Sequence, residues 1–182
     1  STLVGFAVIL SLLTSCKDKE TVNSPEEINK TEEVVSDNFT VQLSIVNPKN
    51  DSYVTYYTED GTTNFVEEKA VWTDIVEGSN DVKKVTMVLP DVANPTQLRL
   101  DFGNNKEQET VELYNVKISA YGRSFEFKGS ELYTYFSLNE NVKTEIDEQK
   151  GTIKFLKNPE GFQVPMYYPM PKLVEEITKI SQ

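Results

Sequence analysis

The sequence predicts an all-β protein, an antiparallel β-sandwich or barrel followed by a short C-terminal helix or tail. Three observations lead to this fold class. From residue 39 onward, short runs rich in β-branched and aromatic residues dominate the chain. Clusters of Gly, Asn, Asp and Pro, which favour turns, separate these runs. Helical spacing of apolar residues is found only at residues 172–180.

The first strand is predicted at residues 39–45, where every second residue is apolar. A period of two places these residues on one face, as in a strand that is buried on one side. Pro48 follows the run and ends it, because proline cannot donate a hydrogen bond to a neighbouring strand. Further strands are predicted at residues 53–58, 65–72, 82–89, 97–102, 110–119, 124–127, 132–137, 152–156 and 162–168.

The segments that flank the predicted β-sandwich domain, residues 39–168, differ from it in composition. Residues 1–15 carry an uncharged apolar run, which is typical of a secretion signal and too short to span a bilayer as a helix. Residues 16–38 are polar and charged, so we expect a flexible tether. Residues 169–182 begin with two closely spaced prolines and then show helical spacing, which indicates a short helix or a tail.

The composition excludes several classes of function. The formal net charge is −11 at pH 7, which argues against binding nucleic acid or anionic lipid. The sequence contains no histidine, so Ser-His-Asp and Cys-His catalysis and histidine-ligated zinc are excluded. It contains one cysteine and therefore no internal disulfide. Carboxylates, Tyr, Lys and Arg remain available for chemistry.

The apolar run of the first segment ends at Leu13-Thr14-Ser15-Cys16, and charged residues follow directly. This pattern resembles the lipobox of bacterial lipoproteins, which implies that Cys16 becomes the lipidated N-terminus and anchors the protein to a membrane. The alternative is an inert core cysteine at the end of an apolar helix. The acidic residues behind Cys16 resemble the export signal of surface lipoproteins in Bacteroidetes, although a solvated linker has the same composition. We therefore expect a lipid-anchored protein of the bacterial outer membrane, and the export-signal reading, but not the linker reading, adds exposure at the cell surface.

A second resemblance lies in three consecutive β-rich segments. They read VTMVLP at residues 85–90, LRLDFGN at 98–104 and VELYNVKI at 111–118. Together they resemble the jelly-roll modules of bacterial carbohydrate-binding and glycan-associated proteins. The resemblance implies a jelly-roll-like β-sandwich that binds sugar. The alternative is an ordinary sandwich hairpin with a Gly-Asn-Asn turn.

Sugar binding requires exposed aromatic faces with polar side chains nearby. Adjacent residues of a strand point to opposite faces, so one tyrosine of each Tyr-Tyr pair is expected to point outward. Trp72 is the sole tryptophan, with a role either in the core or as a stacking platform. Arg99 and Asp101 share a strand face, which permits an ion pair or recognition of hydroxyl groups. The candidate carbohydrate-binding residues are Tyr56, Tyr57, Trp72, Arg99, Asp101, Tyr167 and Tyr168.

One loop offers hard oxygen ligands of the kind that Ca²⁺ prefers. Its spacing does not match an EF-hand, and a solvated turn explains it, so we predict no metal site and no cofactor. The members of this loop cluster are Asp101, Asn104, Asn105 and Glu107.

No pair of carboxylates stands out as the two catalytic groups of a glycosidase. We therefore predict no catalytic residue and no enzymatic activity. The carboxylates considered are Glu67, Glu68, Glu131, Glu140, Glu145, Asp147 and Glu148.

Two functions follow from these observations. The first is a lipid-anchored, non-catalytic carbohydrate-binding module whose partners are the membrane, through Cys16, and a polysaccharide. The alternative is a structural or assembly lipoprotein that docks other envelope proteins through its sheet faces. Exposed aromatic side chains in a groove would favour the first, and a large, flat apolar patch would favour the second.

Overall fold

The computed structural model describes residues 37–156 and 160–182. The predicted secretion signal and Cys16 lie outside these residues, as does the predicted tether apart from its last two positions. The described elements are β1 (Thr40–Asn47), β2 (Val54–Thr58), β3 (Ala70–Trp72), β4 (Ser79–Val88), β5 (Gln97–Asp101), β6 (Thr110–Ala120), β7 (Arg123–Lys128), α1 (Leu132–Tyr135), β8 (Lys143–Asp147), β9 (Thr152–Leu156), β10 (Met166–Tyr167) and α2 (Pro171–Ile180).

The described strands form two antiparallel sheets, which confirms the predicted β-sandwich with a short C-terminal helix. The larger sheet has the order β4-β1-β6-β9-β8, and β7 also pairs with β6. The smaller sheet has the order β10-β5-β2-β3. Because β1, β4 and β6 belong to the larger sheet and β2, β3 and β5 to the smaller one, the chain crosses repeatedly between the two sheets.

Strand β6 has 11 residues, and along the edge that faces away from β1 it pairs with two strands. Its first part pairs with β9, and its second part, from Asn115 onward, pairs with β7. Gly129 lies directly after β7, where a Cβ atom would come within 1.9 Å of the carbonyl oxygen of Leu113. Only glycine lets the backbone approach β6 this closely, so this residue allows the chain to leave the sheet here.

The core lies between the two sheets and is lined by the inward-facing residues of each strand. In β1, Val41, Leu43 and Ile45 are buried, as the period of two predicts. Helix α2 adds Leu173, Ile177 and Ile180 to the same cluster of buried residues. The core therefore extends beyond residue 168, into the segment predicted as a helix or tail.

The helices of the described part of the chain lack the length and the apolar character that a membrane-spanning segment requires.

The strand predicted at residues 132–137 is wrong, because the chain forms the helical turn α1 there. Leu132 and Phe136 are both buried, and the Phe136 N–H donates to the Leu132 carbonyl across the turn. An extended strand would place Thr134 on the same inward face, whereas the helical turn leaves Thr134 exposed. Tyr135 packs over the Phe127 ring, with ring centres 4.2 Å apart. Tertiary packing thus overrides the β propensity of this segment.

Two further predicted strands, at residues 65–72 and 162–168, are shorter in the structure. The first becomes a 3-10 turn at Glu67–Lys69 followed by β3, and the second contributes only β10. Strand β8 was not predicted, because it is a polar edge strand whose residues are mostly exposed. Such a strand lacks the apolar alternation by which strands are found in a sequence.

Candidate functional site

A groove lies on the outward face of the smaller sheet, and we call it the outer groove. Strand pairing aligns its side chains: Tyr56 lies opposite Arg99, and Val54 lies opposite both Asp101 and Trp72. Residues paired across neighbouring strands point to the same face, so these side chains share the outward surface. The groove encloses about 350 Å³. Its lining residues are Ser52, Val54, Tyr56, Trp72, Arg99, Asp101, Gly103, Asn104, Phe162, Gln163, Val164 and Met166.

Arg99 forms the floor of the outer groove. Its Nε and Nη2 atoms donate to the two carboxylate oxygens of Asp101 at 2.9 and 2.8 Å, which is a bidentate ion pair. The guanidinium carbon lies 3.8 Å from the centre of the Tyr56 ring, and the rings of Phe65 and Tyr168 lie within 6 Å of it. Stacking on aromatic rings and fork-like pairing with a carboxylate both suit the planar guanidinium. The guanidinium of Arg99 is therefore contacted on its face by the Tyr56 ring and along one edge by the Asp101 carboxylate.

Burial of this pair affects the titration of Asp101. The Arg99 and Asp101 side chains are only 12% and 6% exposed. Burial raises the pKa of Asp101, while the hydrogen bonds and charge of Arg99 act in the opposite direction. The desolvation of two buried charges offsets much of their attraction, so this ion pair is weak evidence for stability.

Glu67 holds two aromatic side chains of the groove in place. The Tyr56 hydroxyl donates to Glu67 Oε2 at 2.8 Å, and the Trp72 indole N–H donates to Glu67 Oε1 at 2.9 Å. These two hydrogen bonds, first that of Trp72 and then that of Tyr56, lower the pKa of Glu67. Burial and the contact with Glu67 raise the pKa of Tyr56 to about 12. The indole of Trp72 is 43% exposed, so it is an oriented aromatic surface open to solvent.

We predict that acid releases Trp72 from Glu67 and changes the fluorescence of the protein. Because the pKa of Glu67 is lowered in the folded protein, the stabilisation from its ionised carboxylate is fully present above the ordinary glutamate pKa. This stabilisation is lost as the pH falls through the lowered pKa of the folded state. Trp72 is the sole tryptophan, so its emission reports this step directly. A pH titration of the emission should show a midpoint below the ordinary glutamate range.

The control for this titration is a pair of matched variants. Glu67→Gln should abolish the transition, because its amide does not change protonation. Glu126→Gln, at an exposed position of β7 in the other sheet, should leave the transition unchanged. A midpoint at or above the ordinary glutamate value in the unaltered protein would mean that the two hydrogen bonds do not hold Trp72.

The structure brings together most, but not all, of the residues proposed from the sequence. Tyr56, Trp72, Arg99 and Asp101 line the outer groove, and Tyr168, 41% exposed, borders it with its ring 5.9 Å from that of Phe65. Each Tyr-Tyr pair is divided between the two faces of the sheet, in line with strand alternation.

Tyr57 and Tyr167 are the inward members of the two pairs. Both are buried in the core, where Tyr167 packs against Phe102 and Phe155. The ammonium group of Lys69 lies 5.0 Å from the centre of the Tyr57 ring. Neither tyrosine lines the outer groove, so both have a packing role in this structure.

Glu67 and Phe65 were not among the candidate binding residues. Both lie in the segment predicted as a strand, where alternation would separate Glu67 from Trp72 on opposite faces. The 3-10 turn instead brings the carboxylate back to the indole. No local sequence pattern predicts this turn. Residues 162–164 and 166, which also line the groove, likewise carry no distinguishing sequence signal beyond the aromatic residue Phe162.

Side-chain oxygen atoms of three members of the candidate Ca²⁺ loop, Asp101, Asn104 and Asn105, already have protein partners. Asp101 accepts from Arg99, and Asn105 Oδ1 accepts from the Glu107 N–H at 2.9 Å. The loop is held by Asp51, whose carboxylate accepts the backbone N–H groups of Asn104 and Asn105 at 2.8 and 2.9 Å. Within residues 37–156 and 160–182, no group of three or more Asp, Glu, Cys or His side chains is arranged to hold a metal ion.

The outer groove thus combines an oriented indole face with polar side chains. Asn104 and Gln163 are exposed at its rim, and Ser52 donates to Asn104 Oδ1 at 3.2 Å. This arrangement can stack an apolar ring face and hydrogen-bond hydroxyl groups at the same time. Comparison of the chain with protein-family models, with curated proteins and with solved structures gives no significant match.

Proposed function

We propose that this protein is a non-catalytic carbohydrate-binding module that is held at the bacterial outer membrane by a lipid anchor on Cys16. The observation that carries the binding proposal is the 43% exposure of Trp72, whose indole is oriented by its hydrogen bond to Glu67. An aromatic face of this kind stacks on the C–H surface of a pyranose ring and supplies large contact area at little entropic cost. The jelly-roll resemblance of the sequence supports the same reading.

Three of the aromatic residues at the site, Trp72, Tyr56 and Tyr168, have different roles in this proposal. Trp72 is the platform. Tyr56 is only 8% exposed and one of its faces is covered by Arg99, so it supports the platform rather than binding sugar itself. Tyr168 borders the groove on the far side of Arg99 and offers a second contact for a longer chain. A polysaccharide would therefore contact Trp72 first, with the amides of Asn104 and Gln163 bonding its hydroxyl groups.

The carboxylates of the site support a binding role without catalysis. Glycosidases usually need one carboxylic acid that donates a proton and a second, free carboxylate across the cleft. Asp101 is bound by Arg99 on both oxygens, and Glu67 accepts from Trp72 and Tyr56. Each is committed to fixing a neighbouring side chain, which suits a rigid binding surface.

The experiment that tests this function is a titration of the protein with neutral polysaccharides of different backbones, including cellulose, xylan, mannan and dextran derivatives. The emission of Trp72 and the melting temperature are recorded together. A ligand in the outer groove should change the emission, and it should raise the melting temperature because it binds only the folded state. If neither these polysaccharides nor anionic ones such as carboxymethyl cellulose and dextran sulfate change either quantity, the binding proposal is wrong.

The anchor is tested separately by Cys16→Ser. Acylation requires a thiol, so we expect this variant to lose incorporation of a clickable fatty acid and to leave the membrane fraction. A lipid chain contributes about 0.8 kcal/mol per buried methylene, which is why its loss should release the protein. Equal labelling of the variant and the unaltered protein would contradict the lipoprotein proposal and leave the binding proposal untouched.

A docking role is the second candidate, and one observation favours it. Leu138, Tyr168 and Met170 are exposed apolar residues on two segments joined by backbone hydrogen bonds, Ser137 to Tyr168 and Met170 to Tyr135. Contiguous exposed apolar surface marks protein-interaction sites, and these three residues lie on adjoining segments. Substitution of Leu138 by Asp would weaken docking of this kind without affecting the outer groove.

A further inference from the structure

We propose that the outer groove selects neutral glycans and rejects anionic ones, such as polymers of uronic acids or sulfated sugars. This inference rests on the proposed carbohydrate-binding function and adds the chemical class of the ligand. It follows from how the charged side chains in and beside the groove are already paired.

The first step concerns Arg99, the sole cation among the described residues that line the groove. A guanidinium recognises a carboxylate or sulfate best through two parallel N–H groups. In Arg99 the edge formed by Nε and Nη2 is taken by Asp101, and its face lies 3.8 Å from the Tyr56 ring centre. The side chain is also only 12% exposed. Arg99 is therefore poorly placed to receive an anion from the ligand.

The second step concerns the balance of charge around the indole of Trp72. Arg99 and Asp101 compensate each other, which leaves the carboxylate of Glu67 beside the platform. An anionic sugar stacked on Trp72 would bring a second negative charge close to Glu67, in a chain whose formal net charge is −11. Like charges at an interface disfavour the wrong partner strongly. A carboxylate has about four acceptor sites on its two oxygens, so the hydroxyl groups of a neutral sugar can donate hydrogen bonds to Glu67 alongside Tyr56 and Trp72.

The test compares neutral and anionic polysaccharides that share one backbone. The pairs are hydroxyethyl cellulose with carboxymethyl cellulose, and dextran with dextran sulfate, each titrated at low and high salt by the emission of Trp72. We expect the anionic member of a bound pair to be weaker by about tenfold or more at low salt, as like-charge contact predicts. Added salt should narrow the difference, because it screens the repulsion.

Two variants identify the source of the selectivity. Asp101→Asn removes a negative charge and one of the two acceptors of the Arg99 fork. Glu67→Gln removes the charge beside Trp72. Either should reduce the preference for the neutral polymer severalfold, and the exposed Glu67 position serves if the buried Asp101 variant does not fold. Glu126→Gln changes the net charge equally in the other sheet and should leave the preference unchanged.

The outcomes separate this inference from the function on which it rests. Equal or tighter binding of the anionic member at low salt overturns the inference and leaves carbohydrate binding intact. A preference that survives unchanged in both Asp101→Asn and Glu67→Gln also overturns it, because the proposed charges would not be its cause. Failure of every neutral and anionic polymer to bind overturns the proposed function and the inference together.

Discussion

Phe102→Ala is expected to lower the free energy of unfolding by about 3–5 kcal/mol, as large-to-small aromatic substitutions in a core do. Phe102 is fully buried, directly after β5 of the smaller sheet. Its ring stacks on Phe155 of β9 in the larger sheet, with centres 4.6 Å apart and planes 19° apart. It also meets the Tyr167 ring edge-on at 5.7 Å. The substitution therefore removes a contact that joins the two sheets and leaves a cavity between them.

Chemical denaturation followed by circular dichroism measures this loss. Phe102→Leu, which retains most of the side-chain volume, should lower the free energy of unfolding much less than Phe102→Ala. Phe125→Ala is the second control, because Phe125 is only partly buried and packs at the margin of the core. If Phe102→Ala costs no more than Phe125→Ala, the ring stack between the sheets does not have the importance that its geometry indicates.

Runs rich in β-branched and aromatic residues, separated by turn residues, were sufficient to predict most of the sandwich. They located β1, β2, β5, β6 and β9 nearly to the residue. Alternation of apolar and polar residues identified β1, which has one face in the core, whereas β2 is buried at every position. These signals failed at α1, where burial of Leu132 and Phe136 requires a helical turn, and at β8, an edge strand with little to bury. Both failures come from tertiary context, which a local pattern does not contain.

The candidate site was predictable to the extent that it follows from strand geometry. The spacing of Arg99 and Asp101 places them on one face of the strand and permits an ion pair or recognition of hydroxyl groups. The structure shows the ion pair. The sequence did not tell which tyrosine of each pair faces outward, because that depends on which side the second sheet packs. Nor did it reveal Glu67, since the turn that directs its carboxylate to Trp72 has no local signature.

Trp72→Ala is expected to reduce the affinity for a bound polysaccharide by about 1–3 kcal/mol, the range of aromatic anchors in binding sites. The indole is exposed at the edge of the smaller sheet, so its removal should change the melting temperature little. Since this variant lacks the fluorescent reporter, affinity gel electrophoresis or calorimetry measures the binding. Trp72→Phe, which retains an aromatic face but not the indole N–H, should lose less affinity.

The matched control for Trp72 is Tyr167→Ala, a buried aromatic residue of the same sheet. Its loss should cost about 3–5 kcal/mol of stability, as for other core aromatics, while binding by the remaining folded protein changes little. Glu67→Gln should reduce the affinity by an intermediate amount, because it keeps the indole of Trp72 but weakens the hydrogen bonds that orient it. If Trp72→Ala lowers the melting temperature as much as Tyr167→Ala and leaves binding unchanged, Trp72 is a packing residue. The ligand would then have to contact another surface.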